Sequence, residues 1–204
     1  MPMFHPPFYL RFSIRVGLLA LSLFATGSHA GAQTVNQSFT DQALNLIYRQ
    51  RYNEAITRLE EVLEREPGNS EALTYMATAN LYQTRDFLKA QNEFEGAYKA
   101  GGGATFFVSH SHEKFTTGDV VDYCRGWLHL RKDSIEFVPI DGGHGFKFQF
   151  EEIEEFKRNK LSKRVFHIKV GDKNQNFRGR SNTELEPLLI IALYKSFTPT
   201  RRHH

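Results

Sequence analysis

The spacing of apolar residues changes near the middle of this 204-residue chain. Before residue 100, apolar side chains recur every three or four positions, which is the spacing of helices that bury one face. The clearest sets are Tyr52, Ala55, Ile56, Leu59, Val62 and Leu63, which end ahead of Pro67, and Phe87, Ala90, Phe94 and Ala97. The pattern predicts a helical first half.

From Thr105 onward, apolar and polar residues alternate with a period of two, which predicts β-strands separated by turns. The seven strand candidates are "FFVSHSH", "YCRGWLHL", "SIEFVPI", "GFKFQF", "IEEFKRN", "RVFHIKV" and "QNFRGR". Between the two patterns, "GGGA" at residues 101–104 ends the helical periodicity and is interpreted as a linker. The second half is therefore predicted to be a small antiparallel β-structure.

The segment "TELEPLLIIALYKSF" near the end of the chain predicts one more helix. Thr183 and Glu186 have the spacing of a capping box, and Pro187 falls in the first turn, where its missing N–H costs least. One face of this helix is apolar, and we expect it to close the open sheet. The residues of that face are Leu185, Leu188, Leu189 and Ala192.

The helical half repeats itself over residues 36–100. Each apolar set above is preceded by another predicted helix with an alanine at the matching place, Ala43 in the first copy and Ala77 in the second. This self-similarity, with a period of about 34 residues, resembles the tetratricopeptide repeat. Gln50 and Arg51 depart from it, because they stand where the family turn usually has Gly and Asp.

Two such repeats are fewer than the three or so that usually make a stable array. We therefore expect something to cap them: the C-terminal half, another copy of the chain, or a partner. The resemblance implies a scaffold that holds a protein or peptide against the first helix of each repeat. The candidate contact residues are Asn45, Tyr48, Arg49, Thr74, Asn80 and Tyr82.

Seven strands followed by one amphipathic helix, over residues 105–198, resemble the pleckstrin-homology superfold and its GRAM-like relatives. The predicted hairpin "CRGWLHLRKDSIEFVP" and the segment "FKFQFEEIEEF" carry the resemblance. It implies binding of lipid headgroups or peptides, which relatives of this fold do far more often than catalysis. The expected fold class is therefore α+β, with tetratricopeptide-type hairpins, a seven-stranded β-domain closed by a C-terminal helix, and a short tail at residues 199–204.

The N-terminal segment predicts export. Arg11 and Arg15 precede the apolar run Val16 to Gly27, and small residues follow in "SHAGAQ". This order is typical of a secretory signal peptide, whereas about 12 apolar residues fall short of the roughly 20 that a membrane-spanning helix needs. We predict a signal peptide over residues 1–32 and a periplasmic or extracellular protein.

Charge and cysteine content argue against two further properties, nucleic-acid binding and an intramolecular disulfide. The formal net charge is +3, with 7 basic and 10 acidic residues in 33–100 and 17 basic and 13 acidic residues in 101–204. This near balance argues against nucleic-acid binding, and the uneven distribution fits two modules. The single cysteine, Cys124, excludes an intramolecular disulfide and is expected to be a small buried apolar residue.

Histidines in one predicted strand suggest a metal site. His110 and His112 lie two residues apart and so share a face, and His144, His129 or His167 could supply a third ligand. The sequence has no HExxH or CxxC pattern, and strand histidines are more often ordinary polar residues. We therefore assign no metal or other cofactor, and a metal-dependent hydrolase using His110, His112 and His144 stays an alternative.

The segment "KRNKLSKR" joins two predicted strands and is strongly basic. It could face anionic lipid, lipopolysaccharide or an acidic partner, or it could be a solvated loop that protects strand edges. Its candidate anion-binding residues are Lys157, Arg158, Lys160, Lys163 and Arg164. We expect an exported, non-enzymatic adaptor that binds a protein through its helices, with binding to an anionic membrane surface as a second alternative.

Overall fold

The computed structural model describes residues 27–111 and 123–198, and for residues 27–36 and 38 it describes the backbone only. Four helices come first, as two consecutive hairpins at the positions that the apolar spacing predicts. They are α1 (Gly27–Tyr48), α2 (Tyr52–Arg65), α3 (Ser70–Thr84) and α4 (Phe87–Lys99). The predicted alanines are buried where the helices cross: Ala43, Ala55, Ala77, Ala90 and Ala97.

Two of the helices, α3 and α4, begin at residues whose side chains cap them. The Asn69 side chain accepts a hydrogen bond from the Ala72 N–H at 2.9 Å at the start of α3. After α1 and α3 the chain turns through Gln50 and Arg85, whose φ angles of 62° and 56° are left-handed. Glycine adopts this conformation without a steric cost, so both turns carry some backbone strain.

The second half is a β-domain of seven strands and one helix. The strands are β1 (Ala104–Ser111), β2 (Tyr123–Leu130), β3 (Ser134–Pro139), β4 (Phe146–Gln149), β5 (Glu155–Arg158), β6 (Val165–Val170) and β7 (Lys173–Gly179), and the helix is α5 (Leu185–Phe197). All neighbouring strands are antiparallel, in the order β4-β3-β2-β1-β7-β6-β5. The strand count and the closing helix predicted from the sequence are confirmed.

β1 is central in the sheet, yet half of one edge has no strand beside it. It pairs with β2 along its whole length, from Ala104 to Ser111, but with β7 only from Val108 to Ser111. The first half of β1 would therefore leave backbone N–H and C=O groups without partners, which is costly in a buried strand. Helix α3 lies along this half instead.

Three hydroxyl groups on one side of α3 bond to the open half of the β1 edge. They belong to residues spaced four apart, so they form one row along the helix. The bonds join the Gly103 N–H to Thr74 Oγ1 at 3.1 Å, Thr78 Oγ1 to the Thr105 carbonyl at 3.0 Å, and the Phe107 N–H to the Tyr82 hydroxyl at 2.8 Å. The helical hairpins thus replace the missing strand and complete the sheet.

Aromatic contacts join the two halves of the chain into one core. Phe94 of α4 and Phe106 of β1 are both fully buried, and their ring centroids lie 5.1 Å apart. Tyr98 of α4 stacks on Phe197 of α5 with a centroid distance of 4.0 Å. The β-domain of the same chain therefore covers one side of the helical hairpins.

The hydroxyl row predicts a measurable contribution to stability. Thr78→Val keeps the shape of the side chain but leaves the buried Thr105 carbonyl without its partner, so we expect the free energy of unfolding to fall by about 1–2 kcal/mol. Thr57→Val is the matched control, because the exposed Thr57 hydroxyl bonds only within its own helix, to the Asn53 carbonyl at 3.2 Å. Urea unfolding of both variants checks this, and equal losses would contradict the sealing role of Thr78.

Two details predicted for the last helix are wrong. Thr183 and Glu186 form no capping box, because α5 begins at Leu185 and the Glu186 carboxylate accepts from Ser181. The buried face also differs from the predicted one, since Leu185 and Leu188 are 53% and 43% exposed. The residues that close the sheet are Leu189, Ile190, Leu193 and Phe197. An almost entirely apolar helix has no strong periodicity, so its spacing does not fix which side is buried.

The predicted export signal lies mostly outside the described residues. Residues 27–32 of that segment form the beginning of α1, and residues 1–26 are not described. Within 27–111 and 123–198, no helix combines the length and the apolar character needed to cross a membrane. The signal peptide stays a prediction from the sequence.

Candidate functional site

The turn between β5 and β6 presents the basic segment in an ordered form. The Asn159 side-chain oxygen accepts hydrogen bonds from the Leu161 N–H at 2.8 Å and the Ser162 N–H at 3.2 Å. The turn is closed by the Asn159 N–H, which donates to the Val165 carbonyl at 2.8 Å. These bonds hold the tip of the turn, where Leu161 is 99% exposed.

Basic side chains from this turn and from β7 surround one open concavity of about 470 Å³. We call Lys160, Lys163, Arg164 and Arg178 the basic cluster. Glu184 is the one acid in the lining, which also contains Leu161, Ser162 and Asn182. Four cations facing one carboxylate leave the concavity with a strong excess of positive charge, which attracts anions.

The local ion pairs neutralise little of this charge. Lys163 Nζ lies 4.0 Å from Glu184 Oε2, and Arg158 Nη1 lies 3.6 Å from the same oxygen. The Glu184 side chain is half exposed, so each pair is weak and screened by salt. Lys160, Arg164 and Arg178 form no salt bridge with any residue of the described ranges.

The five predicted anion-binding residues do not all lie together. Lys160, Lys163 and Arg164 line the concavity, and Arg158 is next to it through Glu184. Lys157 pairs instead with Glu155 on the same strand, beside His167 of β6. Alternation along β5 explains this separation, because neighbouring residues of a strand point to opposite faces.

A second recess, the junction cleft, lies where the helices meet the β-domain. Its volume is about 220 Å³. Its lining comes from both halves of the chain and consists of Gln50, Tyr52, Leu81, Tyr82, Arg85, Phe87, Arg180, Ser181 and Glu186. It combines a buried carboxyl, that of Glu186, with two arginines.

Glu186 lies at the floor of the junction cleft and is fully buried. Its Oε1 accepts from the Tyr82 hydroxyl at 3.0 Å, and its Oε2 accepts from the Ser181 N–H at 2.7 Å and the Ser181 hydroxyl at 2.5 Å. Burial raises the pKa of this carboxyl above its usual value, although the hydrogen bonds from Ser181 and Tyr82 act in the opposite direction. Burial also raises the pKa of Tyr82 well above its usual value.

Arg180 connects the β-domain to the end of α1. Its Nη1 and Nη2 atoms donate to the carbonyls of Ile47 at 3.3 Å and Tyr48 at 3.0 Å. Its guanidinium also lies over the rings of Tyr82 and Phe107, at 5.6 and 5.0 Å from their centroids. A cation at a helix C-terminus is favourable, because the last carbonyls of the helix carry a partial negative charge. Arg180 therefore stabilises the end of α1 and also contacts α3 and β1.

The predicted partner-binding residues are divided by the packing of the two halves. Asn45 and Arg49 are exposed on α1, and Tyr48 is half buried against Phe107, with ring centroids 5.4 Å apart. Thr74 and Tyr82 were predicted to be exposed but are buried against β1. The reason is the open edge of β1, which occupies that side of α3.

The remaining predicted partner contact is also engaged inside the chain. The Asn80 side-chain amide of α3 donates to Glu93 Oε1 of α4 at 3.0 Å, and Asn80 is only partly exposed. The open groove expected along α3 is therefore filled by the protein itself. Any partner of the helices has to use other surfaces, such as the exposed end of α1.

Of the three histidines named for a metal-dependent hydrolase, the structure describes His110 and His144. His110 is buried among aromatic rings, and its Nε2 and Nδ1 atoms lie 2.6 Å from Gln175 Oε1 and 3.5 Å from Cys124 Sγ. His144 is exposed in the turn between β3 and β4, and His112 lies outside the described residues. Within the described residues, no three His, Cys, Asp or Glu side chains are grouped as a metal site.

No family model matches the chain, and no curated protein matches it. Among solved structures, the N-terminal PH domain of human ARAP2 has 10% identity over 49% of this chain and 85% of that one, with a TM-score of 0.35. The DH/PH domains of p115-RhoGEF have 7% identity over 85% of this chain and 72% of that one, with a TM-score of 0.38. The Inner Membrane Complex Sub-compartment Protein 3 of Toxoplasma gondii has 9% identity over 56% of this chain and 83% of that one, with a TM-score of 0.34.

Three residues of these sites were missed by sequence reasoning, although each carries a signal. Arg178 and Arg180 lie two residues apart in "FRGR". This spacing predicts that both lie on one face of the last strand, which is a basic signal in that strand. Glu186 is the lone acid inside "LEPLLIIAL" and was interpreted as a cap. A charged residue in an apolar helix is expensive to bury without partners, so it is itself a sign of a polar contact.

Proposed function

We propose that this protein is a non-enzymatic binding protein that docks on an anionic lipid surface through the basic cluster. The observation that supports this proposal is the concavity of about 470 Å³ in which four cationic side chains face one carboxylate. A cationic residue near an anionic membrane contributes about 1 kcal/mol of attraction. Several cationic residues on one face therefore give a measurable but reversible association with the membrane.

The exposed tip of the β5–β6 turn supports the same surface. Leu161 is 99% exposed and is flanked by Lys160 on one side and by Ser162 and Lys163 on the other. An apolar side chain among cations can enter the boundary between headgroups and acyl chains while the cations remain at the phosphates. The predicted export would place such a surface outside the cytoplasm, where it could meet the lipids of a cell envelope.

The helical half supports a second role as an adaptor for a protein partner. The groove along α3 is filled by β1, so this role uses the exposed end of α1 around Asn45 and Arg49. We propose this as the second candidate. The resemblance to tetratricopeptide repeats, and export by the segment 1–32, are parts of the same proposal.

Binding to vesicles tests the first role. Residues 33–204 are mixed with vesicles of phosphatidylcholine alone, or with phosphatidylglycerol added, and sedimented at low and at physiological salt. We expect binding only with the anionic lipid, and we expect Arg164→Gln with Arg178→Gln to weaken it about 30-fold, since two charges contribute about 2 kcal/mol.

The charge-matched control is Lys99→Gln with Lys132→Gln, which removes two exposed cations outside the basic cluster. The control is expected to keep most of the affinity. Equal losses in the two variants would show that only net charge matters. Equal binding to both kinds of vesicle would contradict docking on an anionic surface.

A further inference from the structure

The junction cleft has the size of a small-ligand site. Its volume is about 220 Å³, many times the roughly 10–15 Å³ that a single water molecule needs. This volume is somewhat below the roughly 300 Å³ at which pockets for drug-sized ligands begin, so the cleft suits a smaller molecule. The cleft is built from both halves of the chain, which is a common place for ligand sites.

The lining of this cleft favours an anion. Arg85 and Arg180 are its two cations, and Glu186 is its one acid. Both oxygens of Glu186 are already occupied by hydrogen bonds from Tyr82 and Ser181. Glu186 is also fully buried, so an incoming cation does not meet its carboxylate, whereas an incoming carboxylate meets Arg180 and the exposed Arg85.

Arg180 is held ready for such a contact. Two of its N–H groups donate to the carbonyls of Ile47 and Tyr48, and its Cζ lies over the rings of Tyr82 and Phe107. A guanidinium has five N–H donors, so further donors remain beyond these two bonds. Because the side chain is already fixed, little entropy is lost when it binds a ligand.

Apolar and aromatic side chains form the rest of the recess. Tyr52, Leu81 and Phe87 line it together with the ring of Tyr82. The Tyr52 and Tyr82 rings are 6.4 Å apart at their centroids and inclined by 32°. Walls of this kind favour a flat apolar body, because such a body can pack against ring faces.

Arg85 occupies a backbone position that suits glycine better. Its φ of 56° and ψ of 27° are left-handed, and it ends α3 there. Its exposed side chain forms no salt bridge with any described residue, so no ion pair there accounts for an arginine in this place. Gln50, with a φ of 62°, lines the same cleft.

We propose that the junction cleft binds a small organic anion that has a carboxylate on a flat apolar body. The carboxylate lies between the guanidinium groups of Arg85 and Arg180, and the body packs against Tyr52, Leu81 and Phe87. The site is separate from the basic cluster and does not depend on the docking role proposed above.

Isothermal titration calorimetry, with benzoate titrated into the protein of residues 33–204, tests this site. Benzamide is the neutral isostere, and inorganic phosphate is the anion without an apolar body. We expect benzoate to bind with a dissociation constant of about 1 mM, and benzamide and phosphate to bind at least about tenfold more weakly.

Arg85→Gly makes the test sharper because it separates binding from folding. Glycine relieves the left-handed strain, so we expect the melting temperature to rise while benzoate affinity falls at least about tenfold. Arg49→Gln, an exposed arginine outside the cleft, should change neither. The proposal is overturned if benzoate binds no better than benzamide, or if Arg85→Gly keeps full benzoate affinity.

Discussion

Phe94→Ala is expected to lower the free energy of unfolding by about 4 kcal/mol, the loss typical of a fully buried phenylalanine. Phe94 belongs to α4, yet its ring packs on Phe106 of the central strand, 5.1 Å away between centroids. Removing the ring leaves a cavity in the core that the two halves of the chain share. The helices and the β-domain should therefore lose stability together.

Two probes of urea unfolding can follow the two halves separately. Far-UV circular dichroism reports mainly the helices, and the fluorescence of Trp127, the only tryptophan of the chain, reports the β-domain. We expect coincident midpoints in the wild type and in Phe94→Ala. The exposed Leu88, replaced by alanine, serves as the control and should shift neither midpoint. A fluorescence midpoint that stays fixed in Phe94→Ala would contradict a shared core.

The buried imidazole of His129 is expected to make the protein less stable in mild acid. Burial is the main cause that lowers the pKa of His129 to about 3, and the charge of Arg131 adds to it. Between that value and the ordinary value near 6.5, the unfolded chain binds a proton that the folded chain does not bind. Protonation therefore favours unfolding, and the contribution of His129 falls as the pH is lowered below about 6.5.

The expected loss from His129 between pH 7 and pH 5 is about 2 kcal/mol. The raised pKa of Glu186 acts oppositely, since its stabilising effect fades as pH rises above its unfolded value, so the His129 effect has to be isolated. His129→Asn keeps a polar atom near Thr105 Oγ1, which lies 3.0 Å from His129 Nδ1.

The wild type should lose about 2 kcal/mol more than His129→Asn when urea unfolding is measured at the two pH values. Thr57→Val, which changes an exposed residue without a titratable group, should show the pH dependence of the wild type. Equal pH dependence in wild type and His129→Asn would show that this imidazole is not the group that titrates.

Much of the backbone architecture follows from the sequence. The positions of α2, α3 and α4 are predicted well because alanines such as Ala55 and Ala90 mark close helix crossings, and turn residues such as Pro67 mark the ends. The seven strands are found because alternation and glycine-containing turns are local signals. The sequence also indicates that two repeats need a cap.

The contacts between the two halves are less accessible to sequence reasoning. Thr74 and Tyr82 look like solvent-facing polar residues of a helix, because nothing local shows that half an edge of β1 lies beside them. Their spacing of four, with Thr78 between them, marks one helix face but does not reveal what covers it. Long-range packing decides that question.

The basic cluster shows the same limit. Lys160, Lys163 and Arg164 are adjacent in the chain and were recognised, whereas Arg178 comes from β7 and joins them only through the folding of the sheet. Lys157 was grouped with them by sequence but faces Glu155. A run of charges therefore locates such a surface without defining its members.

The most direct test of the proposed role compares two pairs of substitutions in one binding measurement. Vesicles containing phosphatidylglycerol are titrated with Arg164→Gln/Arg178→Gln and with Asn45→Ala/Arg49→Gln, across a series of salt concentrations. The account predicts that the first variant loses about 30-fold in affinity and part of the salt dependence, while the second stays near wild type. The reverse result would contradict it and would move the docking surface to the exposed end of α1.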